Sequence, residues 1–322
     1  MPVILLTNKY SDKVLSVVRN ELPQGFDFIS LHNADRDTLI KKAGEANYFL
    51  ASGRVSIDKE VIEAATKLKM VQRTGVGTDT IDLNTLKEKS IPVYVNPGIN
   101  SVSVAEHTIL LILAVLRRLS QVNAGIKAGK WGKNDVGIEC RSLSNKTVGI
   151  IGMGNIGKKV VKMLKPFGVK ILYYSRSRLP EIEEKGLLIQ YCDLPILLKQ
   201  VDILSLHCPL THQTKEIIGK SEIASMQYGA IIINTARGSL INEVALIEAL
   251  KSGHIGGAGL DVFSNEPLGK DNFLLNLDNV ILTPHVGGLT LETFSKMIRD
   301  AFNNIRLFED GRFNLIEDKK LQ

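Results

Sequence analysis

Short apolar segments alternate with segments of helical spacing along the whole chain. In residues 11–20, for example, Val14, Val17 and Val18 share one helical face. The first part of the chain predicts strands at residues 3–6, 26–31, 48–51, 69–72 and 92–96, and helices at 11–20 and 58–65. This alternation predicts an α/β fold, in which helices cover both faces of a doubly wound parallel sheet.

The alternation stops at Pro97-Gly98 and then starts again. A long helix is predicted over residues 101–119, and the polar stretch 120–143 is predicted to be irregular. The second series predicts strands at 147–151, 169–174, 202–206, 230–234, 257–262 and 280–283, and helices at 155–167, 193–199, 221–226, 242–252 and 297–310. A chain of 322 residues suits two domains better than one.

Composition and charge exclude several classes of protein. The net charge is +6, but Lys and Arg are scattered, so we expect anionic small molecules rather than nucleic acid as partners. The three cysteines form no CxxC pair, which argues against a metal site or a disulfide framework and fits a reducing cytoplasm. The longest apolar run, residues 109–116, is too short to span a membrane, and the amino terminus lacks a signal-peptide pattern.

One turn in the second series has a glycine pattern typical of phosphate binding. Residues 152–157 read Gly-Met-Gly-Asn-Ile-Gly and join a predicted strand to a predicted helix. Gly152 permits a tight turn, Gly154 leaves room for a pyrophosphate, and Gly157 lets the helix pack closely on the sheet. The free N–H groups at the helix start, including those of Asn155 and Ile156, would face the anion. The pattern predicts a dinucleotide site, with an ordinary glycine turn as the alternative.

The type of dinucleotide is expected to be decided where the next strand ends. NAD enzymes usually place Asp or Glu there to bind the ribose 2′-OH. This chain has no acidic residue between the glycine turn and residue 181, and offers Ser175, Arg176 and Ser177 instead, followed by Arg178. Hydroxyl and guanidinium groups suit a 2′-phosphate, unless the arginines are only solvated. The sequence therefore favours NADP(H) and leaves NAD(H) open.

The sequence around two of the histidines indicates where they lie. His207 comes at a strand end, before Cys208 and Pro209, and these three residues are expected to border the adenine pocket. His107 lies on the predicted helix 101–119 and is interpreted as a packing or interface residue.

Three polar motifs follow neighbouring strands of the second series. Arg237 follows strand 230–234, Glu266 follows strand 257–262, and His285 follows strand 280–283. The carboxyl ends of parallel strands meet at one edge of a sheet, where ligands bind. A guanidinium grips a carboxylate with two hydrogen bonds, and an imidazole exchanges a proton near neutral pH when a carboxylate orients it. These are the groups that hydride transfer to a 2-oxo acid requires.

At these motifs the sequence resembles the D-isomer-specific 2-hydroxyacid dehydrogenases, among them glyoxylate/hydroxypyruvate reductases and D-3-phosphoglycerate dehydrogenases. The resemblance covers nearly the whole chain and rests on Gly75-Val76-Gly77, Ala105-Glu106, the glycine turn, Asn234-Thr235-Ala236-Arg237-Gly238, Gly259-Leu260-Asp261, Glu266-Pro267 and Thr283-Pro284-His285. It implies that Arg237 binds the substrate carboxylate and carbonyl oxygen, that His285 is the acid/base, and that Glu266 hydrogen-bonds His285.

The resemblance also implies the remaining ligand contacts. Asp261 would contact the nicotinamide carboxamide, and the cofactor would also meet Thr235, Ala236, Arg237 and His285. The backbone of Val76 and Gly77 would hold the substrate carboxylate, and Ser52 and Gly53 would border the substrate pocket.

The family fold implies two Rossmann-like domains. Residues 100–286 would bind the dinucleotide, and residues 1–99 with 287–322 would form a discontinuous substrate domain. Glycines near both crossings would suit a hinge. The family usually forms homodimers through its cofactor domains, and the stretch 120–143 is the expected contact.

The substrate is expected to be a small 2-oxo acid such as glyoxylate or hydroxypyruvate, with 3-phosphoglycerate as the alternative. Formate or phosphite chemistry is a further alternative within the enzymes. A nucleotide-sensing corepressor on the same scaffold would lose the equivalents of Arg237 or His285, whereas this chain has both.

Overall fold

The computed structural model describes residues 1–33, 35–52 and 55–321. The chain divides into two compact units. The first consists of Met1–Asn100 and Leu289–Gln322, and the second of Ser101–Gly288. Each unit has its own sheet and its own core.

A parallel sheet with the strand order β2-β1-β3-β4-β5 lies at the centre of the first unit. Its strands are β1 (Val3–Lys9), β2 (Asp27–Leu31), β3 (Tyr48–Ala51), β4 (Met70–Arg73) and β5 (Val93–Tyr94). Its helices are α1 (Asp12–Glu21), α2 (Arg36–Ala43), α3 (Lys59–Ala64), α4 (Leu83–Glu88) and the carboxyl-terminal α13 (Leu291–Glu309). Side chains of β1 and β3 are buried on both faces, as expected when helices cover both faces of a parallel sheet.

The second unit has a wider parallel sheet with the order β12-β11-β10-β9-β6-β7-β8. Its strands are β6 (Thr147–Ile151), β7 (Lys170–Tyr174), β8 (Gln190–Tyr191), β9 (Ile203–Leu206), β10 (Ala230–Asn234), β11 (Ile255–Leu260) and β12 (Val280–Leu282). Its helices are α5 (Ser101–Leu116), α6 (Leu119–Lys127), α7 (Lys133–Gly137), α8 (Asn155–Leu164), α9 (Glu181–Leu187), α10 (Leu194–Gln200), α11 (Lys220–Ser225) and α12 (Glu243–Lys251). The strand order changes direction between β6 and β9, and such a switch point leaves a crevice for a ligand.

The α/β class with two parallel sheets is confirmed, but several predicted elements were wrong. The stretch 120–143 is not irregular, because it contains α6 and α7. Neither helix buries a residue, and α6 has nine residues and α7 only five, so the sequence offered only short segments from which to recognise them. The last helix begins at Leu291 rather than at 297, since the Thr290 side chain accepts the N–H of Thr293 and caps it there.

Helices α5 and α6 follow one another along the chain with a bend between them. Within the described ranges, no single helix is long and apolar enough to cross a membrane, while α5 and α6 together meet that criterion across a 64° bend.

Candidate active site

The glycine turn joins β6 to α8 at the switch point of the second sheet. Gly152 has a φ of +97°, and a Cβ there would lie 2.5 Å from the Cys208 nitrogen. A Cβ on Gly157 would lie 2.2 Å from the Gly152 oxygen, whereas a Cβ on Gly154 would meet open space. Packing within the protein therefore requires glycine at Gly152 and at Gly157. Nothing in the protein requires glycine at Gly154, where the absence of a side chain leaves the space that a pyrophosphate would fill.

The first turn of α8 is free to bind an anion. The amide of Lys158 makes a helical hydrogen bond to the Gly154 carbonyl at 3.0 Å. The amides of Asn155, Ile156 and Gly157 precede that bond, and the N–H groups at a helix start have no partner within the helix. These residues fit the diphosphate of a dinucleotide cofactor.

The end of β7 uses its two arginines in different ways. The Nε and Nη2 atoms of Arg178 donate to the two carboxylate oxygens of Glu184 at 2.9 and 2.8 Å. Tyr173 also donates to Glu184, at 2.6 Å. These bonds, first from Arg178 and then from Tyr173, lower the pKa of the Glu184 carboxyl to about 2. Arg178 is thus occupied by a buried carboxylate, and this corrects the expectation that both guanidinium groups are available to a 2′-phosphate.

Arg176 differs from Arg178 in having no such partner. Among the described residues its guanidinium makes no hydrogen bond or ion pair, and it is exposed, as is Ser177, while Ser175 is half-buried. The Arg176 guanidinium is therefore an exposed cation at the end of β7.

His207 and Cys208 lie directly against the glycine turn. The His207 amide donates to the Ile151 carbonyl at 2.7 Å, which places the residue beside the end of β6. The His207 residue is partly exposed, but its Nδ1 atom is inaccessible to solvent, and desolvation lowers the pKa of the imidazole to about 3. Burial raises the pKa of the Cys208 thiol to about 11. At neutral pH both groups are uncharged, and Pro209 beside them is exposed.

Arg237 is held by a turn that closes at the end of β10. The side chain of buried Asn234 donates to the Arg237 carbonyl at 2.8 Å and accepts the Ala236 amide at 3.0 Å. A Cβ on Gly238 would lie 1.9 Å from the backbone of Phe263, so only glycine fits there. The sequence Asn-Thr-Ala-Arg-Gly therefore forms a fixed turn, and Nη1 of Arg237 donates back to the Ala236 carbonyl at 2.7 Å.

The His285 imidazole forms a pair with the Glu266 carboxylate. Nδ1 of His285 lies 2.7 Å from Oε2 of Glu266, and the other carboxylate oxygen accepts the Phe263 amide at 3.1 Å. An ionised carboxylate only accepts hydrogen bonds, so Nδ1 carries a proton. Nδ1 is thus engaged with Glu266, and Nε2 is the ring nitrogen that a general acid/base role would use.

Asp261 is a buried carboxylate next to this pair, and its backbone carbonyl accepts the His285 amide. It is 2% exposed and follows β11. Burial raises the pKa of this carboxyl. Hydrogen bonds from His107, from Thr283 and from the amides of Gly287 and Val286 lower the pKa by more than burial raises it, so the net shift is downward. The sequence motifs contained Asp261 and Thr283 but gave no sign that His107 contacts them.

The proposed substrate-binding residues belong to the first unit. Val76 is exposed and Gly77 half-buried, in the loop that follows β4. The Ser52 carbonyl accepts a hydrogen bond from Arg73 at 2.6 Å. Gly53 lies outside the described residues.

Comparisons with known proteins identify the family of this chain. A family model described as the NAD-binding domain of D-isomer-specific 2-hydroxyacid dehydrogenases matches residues 109–287. The chain is 40% identical over 281 residues to a glyoxylate reductase of Thermococcus litoralis, covering 86% of this chain and 84% of the relative. It is 45% identical over 258 residues to a D-3-phosphoglycerate dehydrogenase of Methanocaldococcus jannaschii, covering 80% of this chain but 48% of that protein.

The fold is shared with a solved D-lactate dehydrogenase. A D-lactate dehydrogenase from Aquifex aeolicus, complexed with NAD and lactic acid, superposes with a TM-score of 0.86 at 28% identity, over 99% of this chain and 98% of that one. The fold and the site define a nicotinamide-dependent oxidoreductase. The chain belongs to the family of D-isomer-specific 2-hydroxyacid dehydrogenases, as its motifs predicted.

Proposed function

We propose that this enzyme reduces a small 2-oxo acid, glyoxylate or hydroxypyruvate, to the corresponding D-2-hydroxy acid. The observation that carries the proposal is the His285–Glu266 pair, in which Nδ1 and Oε2 lie 2.7 Å apart. Glu266 follows β11, His285 follows β12, and Arg237 follows the adjacent β10. An acid/base, its orienting carboxylate and a carboxylate-binding cation thus share the carboxyl edge of one sheet.

Each residue of this edge has a defined task in the reaction. Arg237 binds the substrate carboxylate and stabilises the negative charge that develops on the carbonyl oxygen. Protonated His285 donates the Nε2 proton to that oxygen, while Glu266 keeps the ring oriented through Nδ1. The nicotinamide, when bound, supplies the hydride. Val76, Gly77, Ser52 and Gly53 are proposed as substrate-binding residues on the family resemblance alone.

The glyoxylate or hydroxypyruvate assignment is preferred to 3-phosphoglycerate. Two relatives, a glyoxylate reductase at 40% identity and a hydroxypyruvate reductase at 41%, support this preference, beside the D-3-phosphoglycerate dehydrogenase. The identity of 45% to the latter keeps 3-phosphoglycerate as the second candidate. A corepressor function is disfavoured, since Arg237 and the His285–Glu266 pair are all in place.

We also propose that the cofactor is NADP(H). No acidic residue stands at the end of β7 to bind a ribose 2′-OH, and the exposed guanidinium of Arg176 has the charge and donor geometry for a 2′-phosphate. The binding residues proposed for the cofactor are the glycine turn, Ser175, Arg176 and Ser177, His207 to Pro209, Thr235 to Arg237, Asp261 and His285.

The assembly proposed is a homodimer formed through α6 and α7. These helices bury no residue. Leu119 and Ile126 of α6 are exposed, as are Trp131, which lies between the two helices, and Ile138, which follows α7. Exposed apolar side chains of this size that lie close together in the sequence favour a contact surface, and the family resemblance supplies a second copy as the occupant.

A substrate panel tests the proposed reaction. The enzyme and its His285→Ala variant should be assayed with glyoxylate, hydroxypyruvate, pyruvate and 3-phosphohydroxypyruvate, each with NADPH and with NADH. We expect the highest kcat/KM for glyoxylate or hydroxypyruvate with NADPH. The variant should lose about 100-fold or more in kcat while still binding cofactor, because a positioned acid/base contributes at least that much. A preference for 3-phosphohydroxypyruvate, or an active His285→Ala variant, would contradict the proposal.

A further inference from the structure

The backbone of His285 has an unusual conformation that the protein must maintain. Its φ is +55°, a left-handed conformation that a residue with a side chain rarely adopts without support. The support comes from Asp261: its carbonyl accepts the His285 amide at 2.8 Å, Oδ1 accepts the Val286 amide at 2.9 Å, and Oδ2 accepts the Gly287 amide at 2.8 Å. Asp261 therefore holds three successive amides of the segment that carries the imidazole.

Asp261 is in turn tied to helix α5 through Thr283. The Thr283 hydroxyl donates to Oδ1 of Asp261 at 2.6 Å. A hydroxyl has one proton to donate, so the Thr283 oxygen can only accept from its second partner, Nε2 of His107, at 2.9 Å. His107 must therefore carry its proton on Nε2, which also lies 3.5 Å from Oδ1 of Asp261.

The neighbouring residue of the same helix contacts the other catalytic segment. The Thr108 hydroxyl donates to the Val104 carbonyl at 2.8 Å, so at 3.0 Å it can only accept from the Thr235 hydroxyl. Thr235 lies two residues before Arg237. Two adjacent residues of α5 thus bind the segment of His285 and the segment of Arg237.

We propose that His107 is a positioning residue for the reaction, acting through Thr283 and Asp261 on the placement of His285. The Nε2 proton of His107 fixes the Thr283 hydroxyl, the hydroxyl fixes the Asp261 carboxylate, and the carboxylate fixes the backbone on both sides of the catalytic ring. This inference rests on the proposed acid/base role of His285 and extends it to a residue that contacts no reacting atom.

Two substitutions at residue 107 separate a donor from a space-filling side chain. His107→Gln keeps an N–H donor near the position of Nε2, whereas His107→Leu removes it. We expect His107→Leu to lower kcat about 10- to 100-fold, because small displacements of a catalytic group have effects of that size. The KM of the substrate, the cofactor Kd and the melting temperature should change little, and His107→Gln should recover most of kcat. A kcat for His107→Leu within twofold of the unmodified enzyme would overturn the proposal, as would an equal loss in both variants.

A second route does not depend on how well the leucine variant folds. Thr283→Val breaks the same chain of hydrogen bonds one step later, so its effect on kcat and that of His107→Leu should not be additive. Additive losses would mean that His107 does not act through Thr283. Nitrogen NMR of ring-labelled histidine in the unmodified enzyme should show His107 protonated at Nε2, and a tautomer protonated only at Nδ1 would equally refute it.

The inference and the proposed function fail in different ways. An active His285→Ala variant would remove the acid/base assignment itself. An inactive His285→Ala variant beside a fully active His107→Leu variant would remove only the positioning role.

Discussion

At the residue scale, the two arginines after β7 show that neighbouring residues of the same type can have different contacts and therefore different roles. Arg176 and Arg178 are two positions apart in one loop, and their residue type alone makes them equivalent. The structure gives Arg178 a bidentate bond to Glu184, whose side chain is only 8% exposed, while Tyr173 donates to the same carboxylate. Arg178 therefore stabilises the loop, and Arg176 is the candidate for recognising a 2′-phosphate.

This difference predicts opposite effects on cofactor selectivity. Arg176→Asp should weaken NADPH binding about tenfold or more and leave NADH binding within about threefold, because a charge-assisted bond to the 2′-phosphate is worth over 1 kcal/mol and only NADPH has that group. Arg178→Gln is the matched control and should weaken both cofactors by similar factors, since it loosens the loop. The measurement is the Kd of each cofactor by titration of protein fluorescence.

Either of two results would contradict this assignment. One is tighter binding of NADH than of NADPH by the unmodified enzyme. The other is a selective loss of NADPH binding in Arg178→Gln but not in Arg176→Asp.

At the scale of elements, helix α13 is held to the first sheet by a buried polar cluster as well as by apolar packing. Asn304 is fully buried, and its side-chain nitrogen donates to Gln72 and to Asn96, each at 3.1 Å. Its oxygen accepts from Lys319 at 2.9 Å. The cluster joins residues more than 200 positions apart, so an amphipathic pattern predicts the helix but not this attachment.

Replacing Asn304 tests how much the cluster contributes. Asn304→Ala should lower the free energy of unfolding by about 2–4 kcal/mol, because the buried side chains of Gln72 and Asn96 and the half-buried Lys319 lose a partner. The adjacent Asn303 is exposed, so Asn303→Ala is the control and should change it by less than about 0.5 kcal/mol. Urea titration followed by circular dichroism measures both, and equal losses in the two variants would show that the cluster is not stabilising.

At the scale of the whole molecule, α6 and α7 are the elements whose presence the protein's own core does not explain. Trp131 is 82% exposed and Ile138 85% exposed, so neither stabilises the fold by burial. Burying these side chains against a second copy would remove their apolar surface from water, and this would stabilise the dimer.

The proposed dimer predicts a specific response to charge. The unmodified enzyme should sediment with twice the mass of one chain, and Trp131→Glu combined with Ile138→Glu should sediment as a single chain. Ile182 in α9 is exposed to a similar degree, 81%, so Ile182→Glu is the control and should remain a dimer. A single-chain mass for the unmodified enzyme, or a dimer that survives the double substitution, would contradict the proposal.

The sequence by itself determined the features that follow local rules. Apolar runs predicted most strands to within one or two residues, and the motifs at strand ends predicted the family. The glycine turn was predicted because a positive φ and close packing admit only glycine. Elements with weak periodicity or few residues were missed: α2, α4, α9 and β8, together with α6 and α7.

Only the tertiary structure decided which polar side chains meet. Arg237, Glu266 and His285 could be proposed together because parallel strands bring their carboxyl ends to one edge. The link from His107 to Thr283 spans 176 positions, and the choice between Arg178 and Arg176 depends on a carboxylate in the following helix. A hydrogen bond requires atoms to be within about 3 Å and correctly oriented, which only the packed fold fixes.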